Sequence, residues 1–306
     1  MSIFEAILLT VITASTPLVI AALGELVTER AGVLNLGVEG MMVMGAVTAF
    51  IGAQETGSPY IGILCGILGG ALFSLLFAFL TLTLIANQVA TGLALTILGI
   101  GASGMIGESY VGLPGIRLPP IVIPFLSDIP YIGSAFFKQD IIFYMSIALV
   151  VGVNWFLFRS RTGLKIRAIG DNHQSAHALG IKVIRTRYLA VLFGGACAGL
   201  AGAQLSLIYT PQWTENMSGG RGWIALALVV FSSWRPWRIL LGGYLFGAVT
   251  ILQLHAQALG IGVPSQFLSM LPYAATIVVL LIISQNRRTT LINTPASLGR
   301  SFVPDR

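Results

Sequence analysis

The chain has 306 residues, 56% of them hydrophobic and 9% charged, with a mean hydropathy of +0.88. One soluble core cannot bury that much apolar surface, so the composition excludes an ordinary globular domain and indicates an integral membrane protein. The formal net charge of +6 is carried by loops and the tail, which suits an anionic inner leaflet and leaves no basic face for nucleic acid.

A hydrocarbon core takes roughly 20 apolar residues per helix, and that ruler predicts an all-α polytopic bundle of about 8–10 transmembrane helices, some broken or short. The predicted spans are 3–23, 32–53, 61–84, 88–107, 140–158, 188–210, 222–234, 239–258 and 267–284. They form one membrane domain, 1–284, followed by a tail, 285–306. The first span has no basic n-region and no small-residue cleavage site, so it reads as retained rather than as a signal peptide. Gly62, Gly66 and Gly70, then Gly195 and Gly199, then Gly243 and Gly247, recur every four residues, as close helix approach in membranes requires. Cys65 and Cys197 sit within apolar runs and are expected to act as small hydrophobes, without a disulfide or a metal.

Asn35 and Glu39 lie four apart in the second span and are expected on one helical face. A carboxylate there costs about 2–3 kcal/mol unless it faces protein or water. Two roles are open: lining a solute path, or closing a hydrogen-bond network between helices. Asn87, Gln88 and Thr91 form a second polar group at the start of the fourth span. They can offer uncharged hydrogen bonds to a solute, or Asn87 can simply cap the helix. Gly92, Gly99, Gly101 and Gly104 mark this span as a candidate broken helix.

Glu108–Asp140 holds Pro114, Pro119, Pro120, Pro124 and Pro130 and is expected as an external loop packed over the bundle mouth. Tyr209–Trp223 is a second external loop, and Trp213, Trp223, Trp234 and Trp237 near span ends are expected to be interfacial anchors. Gln204, Gln253, His255 and Gln257 are further polar residues in spans, with His255 expected to be satisfied between helices.

Between the fifth and sixth spans lies a basic loop, 159–187, RSRTGLKIRAIGDNHQSAHALGIKVIRTR. Its seven cations face one acid, Asp171, which places it on the cytoplasmic side. Arg235 and Arg238, and Arg287 and Arg288, then also fall inside, with the N-terminus outside. Within the loop, Asp171–Leu179 is predicted to form a short helix capped by Asp171 or Asn172 and ended by Gly180. His173 and His177 share a face there but lack further ligands, so they are expected on a docking surface rather than at a metal. The tail is polar and aperiodic and is expected to be partly disordered.

The run RAIGDNHQSAHALGI, Arg167–Ile181, resembles the coupling-loop motif of permease subunits of bacterial ABC importers, in the branch for branched-chain amino acids, simple sugars and nucleosides. The matching residues are Arg167, Ala168, Gly170, Asn172, Ala176, Gly180 and Ile181, with Ser175 where an alanine is usual. The resemblance implies that this segment, with Asp171, fits a groove on an ATP-binding subunit. GELVTERAGVLNLGVEGMMVMGA, Gly24–Ala46, and IANQVATGLALTILG, Ile85–Gly99, resemble nucleoside-type permeases that work with a lipoprotein of the basic membrane protein class. That likeness implies a permease of the inner (plasma) membrane, carrying a nucleoside or, alternatively, a simple sugar such as ribose. It also implies three partners: ABC ATP-binding subunits that bind ATP and Mg, a second and longer permease, and an extracytoplasmic substrate-binding lipoprotein. The chain itself is expected to bind no cofactor and to catalyse no covalent chemistry.

Two competing readings are weaker on the residues. An ion-coupled secondary transporter needs coupling charges within spans, where only Glu39 is expected. An intramembrane enzyme needs HExxH, GxSxG or paired aspartates, which the sequence lacks.

Overall fold

The computed structural model describes residues 3–127, 129, 133–258, 264–271, 274, 275, 277, 278, 281 and 293–303. Among the described residues, twelve α-helices are formed: α1 Ile3–Arg30, α2 Val38–Thr56, α3 Pro59–Ala78, α4 Gln88–Gly107, α5 Gly133–Phe137, α6 Ile141–Arg159, α7 Arg161–Asp171, α8 His173–Ala178, α9 Val183–Gln204, α10 Arg221–Phe231, α11 Pro236–Ala258 and α12 Ser265–Ser269. One antiparallel pair, β1 Ile121–Val122 with β2 Lys138–Gln139, lies in the long proline-rich loop. An all-α membrane bundle is therefore what the chain forms.

Among the described residues, six helical stretches are long and apolar enough to cross a membrane: Glu5–Arg30, Pro59–Thr83, Gln88–Tyr110, Ile141–Arg159, Val183–Tyr209 and Pro236–Gln257. This is fewer than the expected spans for three reasons. α2 has 19 residues, but it starts only after the non-helical segment 31–37 and carries Glu39 near one end and Gln54 and Glu55 near the other, which lower its hydropathy. α10 has 11 residues, about 16 Å at 1.5 Å per residue, roughly half a bilayer. The span expected at 267–284 lies largely outside the described residues.

Small residues set the packing, as their spacing predicted. A Cβ on Gly45 would lie 2.4 Å from the Gly199 Cα, and one on Gly70 2.3 Å from the Gly195 carbonyl. α2, α3 and α9 thus meet backbone to backbone. On the far side of α9, Gly24 would meet Cys197 at 2.5 Å. α1 runs antiparallel to α9, since Thr28 reaches the Ala190 carbonyl (3.2 Å) and Gln204 the Thr13 carbonyl (3.0 Å). The second bond has a local cause: Pro17 inside α1 has no amide, so the Thr13 carbonyl lacks its helical donor, and Gln204 supplies one.

α1, α2 and α9 form the buried centre, while α3, α4, α6 and α11 present apolar outer faces, with Leu72 65%, Ile97 74%, Met105 75% and Leu241 72% exposed. That is the exterior of a protein whose surroundings are lipid or another apolar subunit. α3 and α9 both end in a π-helical turn, Phe79–Thr83 and Leu205–Tyr209.

The breaks do not fall where expected. α4 is continuous through Gly92, Gly99, Gly101 and Gly104, because Gly92 and Gly99 are used for close approach to Leu36 and Gly40. The chain instead breaks at 31–37 and before α10. The proline-rich loop does cover the bundle: Gln54 donates to the Pro114 carbonyl (2.7 Å) and Gly115 to the Pro211 carbonyl (3.0 Å). Two of the expected tryptophan anchors are core residues. Trp213 is fully buried against Gly107, and Trp234 is 3% exposed, donating to Glu29 at 2.6 Å.

Candidate functional site

Two polar regions stand out, one at the basic end of the bundle and one within it. At the basic end, the Ser160 hydroxyl accepts the Gly163 amide (2.9 Å) and starts α7. Asn172 breaks that helix in extended conformation (φ −152°, ψ 98°), and its Oδ1 accepts the Ser175 amide (3.0 Å) to start α8. Gly180, at φ +80°, ends it in the left-handed region, as the sequence predicted. The helix expected over Asp171–Leu179 is therefore found as α8, with Asn172 as its cap, while α7, which ends at Asp171, is an additional helix that the sequence reading does not include.

The candidate docking residues divide by burial. Asp171, Asn172 and Gly180 are exposed, Arg167 and Ile181 half-buried. Gly170 and Ala176 point inward, into the packing. A Cβ on Gly170 would stand 2.2 Å from the Arg30 carbonyl, and Ala176 is 2% exposed beside Ile169, Val183 and Phe302. The Arg167 guanidinium lies 5.3 Å from the Phe158 ring centroid, close enough for cation–π attraction. His173 is also inward, 7% exposed, so of the two histidines only His177 is on the surface. Burial, with Arg187 and Arg300 nearby, lowers the His173 imidazole below its usual value. Leu179, absent from the predicted set, is 82% exposed at the tip of α8. An apolar residue directly before the terminating glycine of a polar loop was the available signal.

The tail differs from the expected disorder over 293–303. The Ser297 amide donates to the Gly170 carbonyl (2.8 Å) and its hydroxyl to the Asp171 carbonyl (3.3 Å). Phe302, 7% exposed, packs its ring 5.3 Å from those of both His173 and His177.

Within the bundle, Asn35 and Glu39 do not share a helical face, because α2 begins at Val38 and Asn35 lies in the 31–37 segment. That segment is held by side chains of other elements. Leu34 N donates to Gln88 Oε1 (2.8 Å) and Asn35 N to Glu25 Oε1 (3.1 Å). The Leu36 carbonyl accepts from Thr96 Oγ1 (3.0 Å), and Asn35 Oδ1 accepts the Gly37 amide (2.9 Å). Glu39, 2% exposed, is gripped by the start of α10: Ser218 Oγ and the Gly220 amide (2.7 Å) donate to Oε1, and the Gly222 amide (2.6 Å) to Oε2. A carboxylate at a helix N-terminus meets free amides and the positive end of the helix dipole. Asn87 caps α4 by accepting the Ala90 amide (3.0 Å). Thr91 is half-buried.

Glu25 and Glu29, each 1% exposed in α1, escape a sequence reading because hydropathy ends the first span at residue 23. His255 is bonded within its own helix, to the Ile251 carbonyl (3.0 Å), not between helices. No group of three metal-ligating side chains occurs among the described residues.

Comparison with known proteins gives the following likenesses. Residues 7–283 match the family described as branched-chain amino acid transport system / permease component. The chain is 40% identical to a putative glucose ABC transporter permease protein of Haloferax volcanii, over 99% of this chain and 98% of that one. It is 34% identical to a nucleoside ABC transporter permease protein of Lactococcus lactis, over 87% of this chain and 88% of the relative. A guanosine ABC transporter permease protein of Bacillus subtilis is likewise 34% identical, with the same two shares.

Proposed function

This chain belongs to the branched-chain amino acid transport system / permease component family, and from that premise we propose that the solute it carries is a nucleoside. As an ABC permease subunit it is a non-catalytic, multi-pass membrane protein that works with ATP-binding subunits and a substrate-binding protein. The observation that carries the nucleoside reading is the likeness to two nucleoside-type permeases over 87% of the chain, in line with the motifs at Gly24–Ala46 and Ile85–Gly99.

Burial supports an uncharged solute. Glu25, Glu29 and Glu39, the carboxylates within the helical core, are at most 2% exposed, so none is presented to a passing ion or zwitterion. A hydroxyl-rich neutral solute needs only uncharged hydrogen-bonding groups, such as those of Asn87 and Thr91 on the α4 surface. A hexose satisfies the same requirement, and the 40% likeness to a glucose-type permease favours it as the second reading.

In the proposed arrangement, the basic end faces the cytoplasm and the N-terminus the outside. The exposed residues Asp171, Asn172, Leu179 and Gly180 enter a groove on an ATP-binding subunit, which holds the ATP and Mg. A second, longer permease completes the cavity, and a lipoprotein delivers the solute. Residues 1–284 act as one permease domain. Titration of the co-purified binding protein with guanosine and with glucose tests the substrate. Heat of binding with guanosine alone supports the nucleoside reading, and heat with glucose alone replaces it with the hexose one.

A further inference from the structure

Arg187 sits on α9 and, although a cation, is only 1% exposed. Its guanidinium reaches three other elements. Nε donates to the Ala31 carbonyl (3.0 Å), at the head of the 31–37 segment, and Nη1 to the Arg300 carbonyl (3.2 Å) in the tail. Nη2 stands 3.3 Å from Nδ1 of His173, on α8.

The surroundings are fitted to this meeting. Gly32 adopts φ +81°, and a Cβ there would lie 2.8 Å from Arg187 Nη2, 3.3 Å from the Ser297 carbonyl and 3.4 Å from the Gly170 Cα. Gly299, at φ +73°, lies against Leu34. With the Ser297 bonds to Gly170 and Asp171, and Phe302 wedged on the two histidines, residues 293–303 strap α7 and α8 to the 31–37 segment.

A guanidinium is planar, and its donors are fixed in a fork. When buried, each donor that loses its acceptor carries a desolvation cost, so the groups it holds move together or not at all. The two ends of this fork are the helix that bears the exposed docking tip and the segment whose other end, through Asn35 and Gln88, is tied to α1 and α4 inside the bundle. We propose that Arg187 and the 293–303 strap form a joint that carries displacement of α8 into the 31–37 segment. Arg187 is then a positioning residue, touching no solute. The inference rests on the permease reading above.

The test uses the intact transporter, purified with its ATP-binding subunits and binding protein and reconstituted in vesicles. Uptake of labelled guanosine, or of labelled glucose if that is what the wild type carries, is measured together with ATP hydrolysis. Phe302→Ala, Phe302→Leu and Arg187→Lys are expected to keep the ATP-binding subunits bound and hydrolysing while uptake per ATP falls by about tenfold. Phe302→Tyr, which keeps the ring, is expected to retain wild-type coupling. Uptake per ATP within about twofold of wild type in both Phe302→Leu and Arg187→Lys overturns the joint. Loss of the ATP-binding subunits from the variants overturns it in favour of a docking role, and failure of all three to accumulate overturns it in favour of a folding role. No ATP-dependent uptake by the wild-type complex would instead refute the permease reading itself.

Discussion

At the scale of single residues, Glu39 shows how a membrane carboxylate can be structural. Its two oxygens take a hydroxyl and two amides from Ser218, Gly220 and Gly222. Glu39→Ala strands three donors, each at about 1–3 kcal/mol, so thermal unfolding in detergent should show a large loss of stability, while the protein that survives keeps ATP-dependent uptake. Loss of uptake without loss of stability would return Glu39 to the solute path. That a carboxylate at 39 needs partners was legible from the sequence. Which partners was not, since they lie about 180 positions away. Glu25 and Glu29 were hidden for a related reason: GELVTER looks like the polar end of a span until its carboxylates are seen to hold Asn35 and Trp234. His173 carries a pH prediction. Its imidazole is held below the usual 6.5, so the folded state prefers it neutral, and that stability is fully present above 6.5 and lost as pH falls through the lowered value. Relative to His173→Gln, the wild type should lose stability below pH 6.5, by at most about 1.4 kcal/mol per pH unit. A flat difference between pH 7 and 5 would contradict the buried, neutral assignment.

Among elements, the basic loop is where local rules and long-range packing part company. Asn172 as a cap and Gly180 as a left-handed stop follow from residue type and position, and both are found. The inward turn of Gly170 and Ala176 depends on Arg30, Pro295 and Phe302, which periodicity within the loop cannot reveal. The same packing leaves Leu179 exposed at the end of α8, where the proposed docking would place it. Leu179→Asp changes a side chain 82% exposed and should leave stability within about 0.5 kcal/mol, yet it should prevent co-purification of the ATP-binding subunit. Retained co-purification would remove α8 from the interface. Gly180→Val forces a β-branched residue to φ +80°, a strain of about 1–3 kcal/mol, and should lower uptake while the protein remains in the membrane. Normal uptake would show that the end of α8 is not needed in this shape.

For the whole molecule, composition alone gave an all-α membrane bundle, and glycine spacing identified the helices that pack most closely. What the hydropathy ruler could not supply was depth. It counts apolar residues, and so it treated α10 as a full span and ran the second span from residue 32, where the chain is still non-helical. In the resulting centre of α1, α2 and α9, the carboxylates of Glu25, Glu29 and Glu39 are withdrawn into internal bonds or full burial. Likeness to ABC permease subunits implies separate ATP-binding subunits as the source of energy. The most direct measurement is uptake of labelled guanosine and glucose into vesicles holding this chain with its second permease, with and without the ATP-binding subunits. Uptake of one solute that needs the ATP-binding subunits, ATP and the binding protein together is the predicted result. Uptake by the permeases alone, driven by a proton or sodium gradient, would contradict the account.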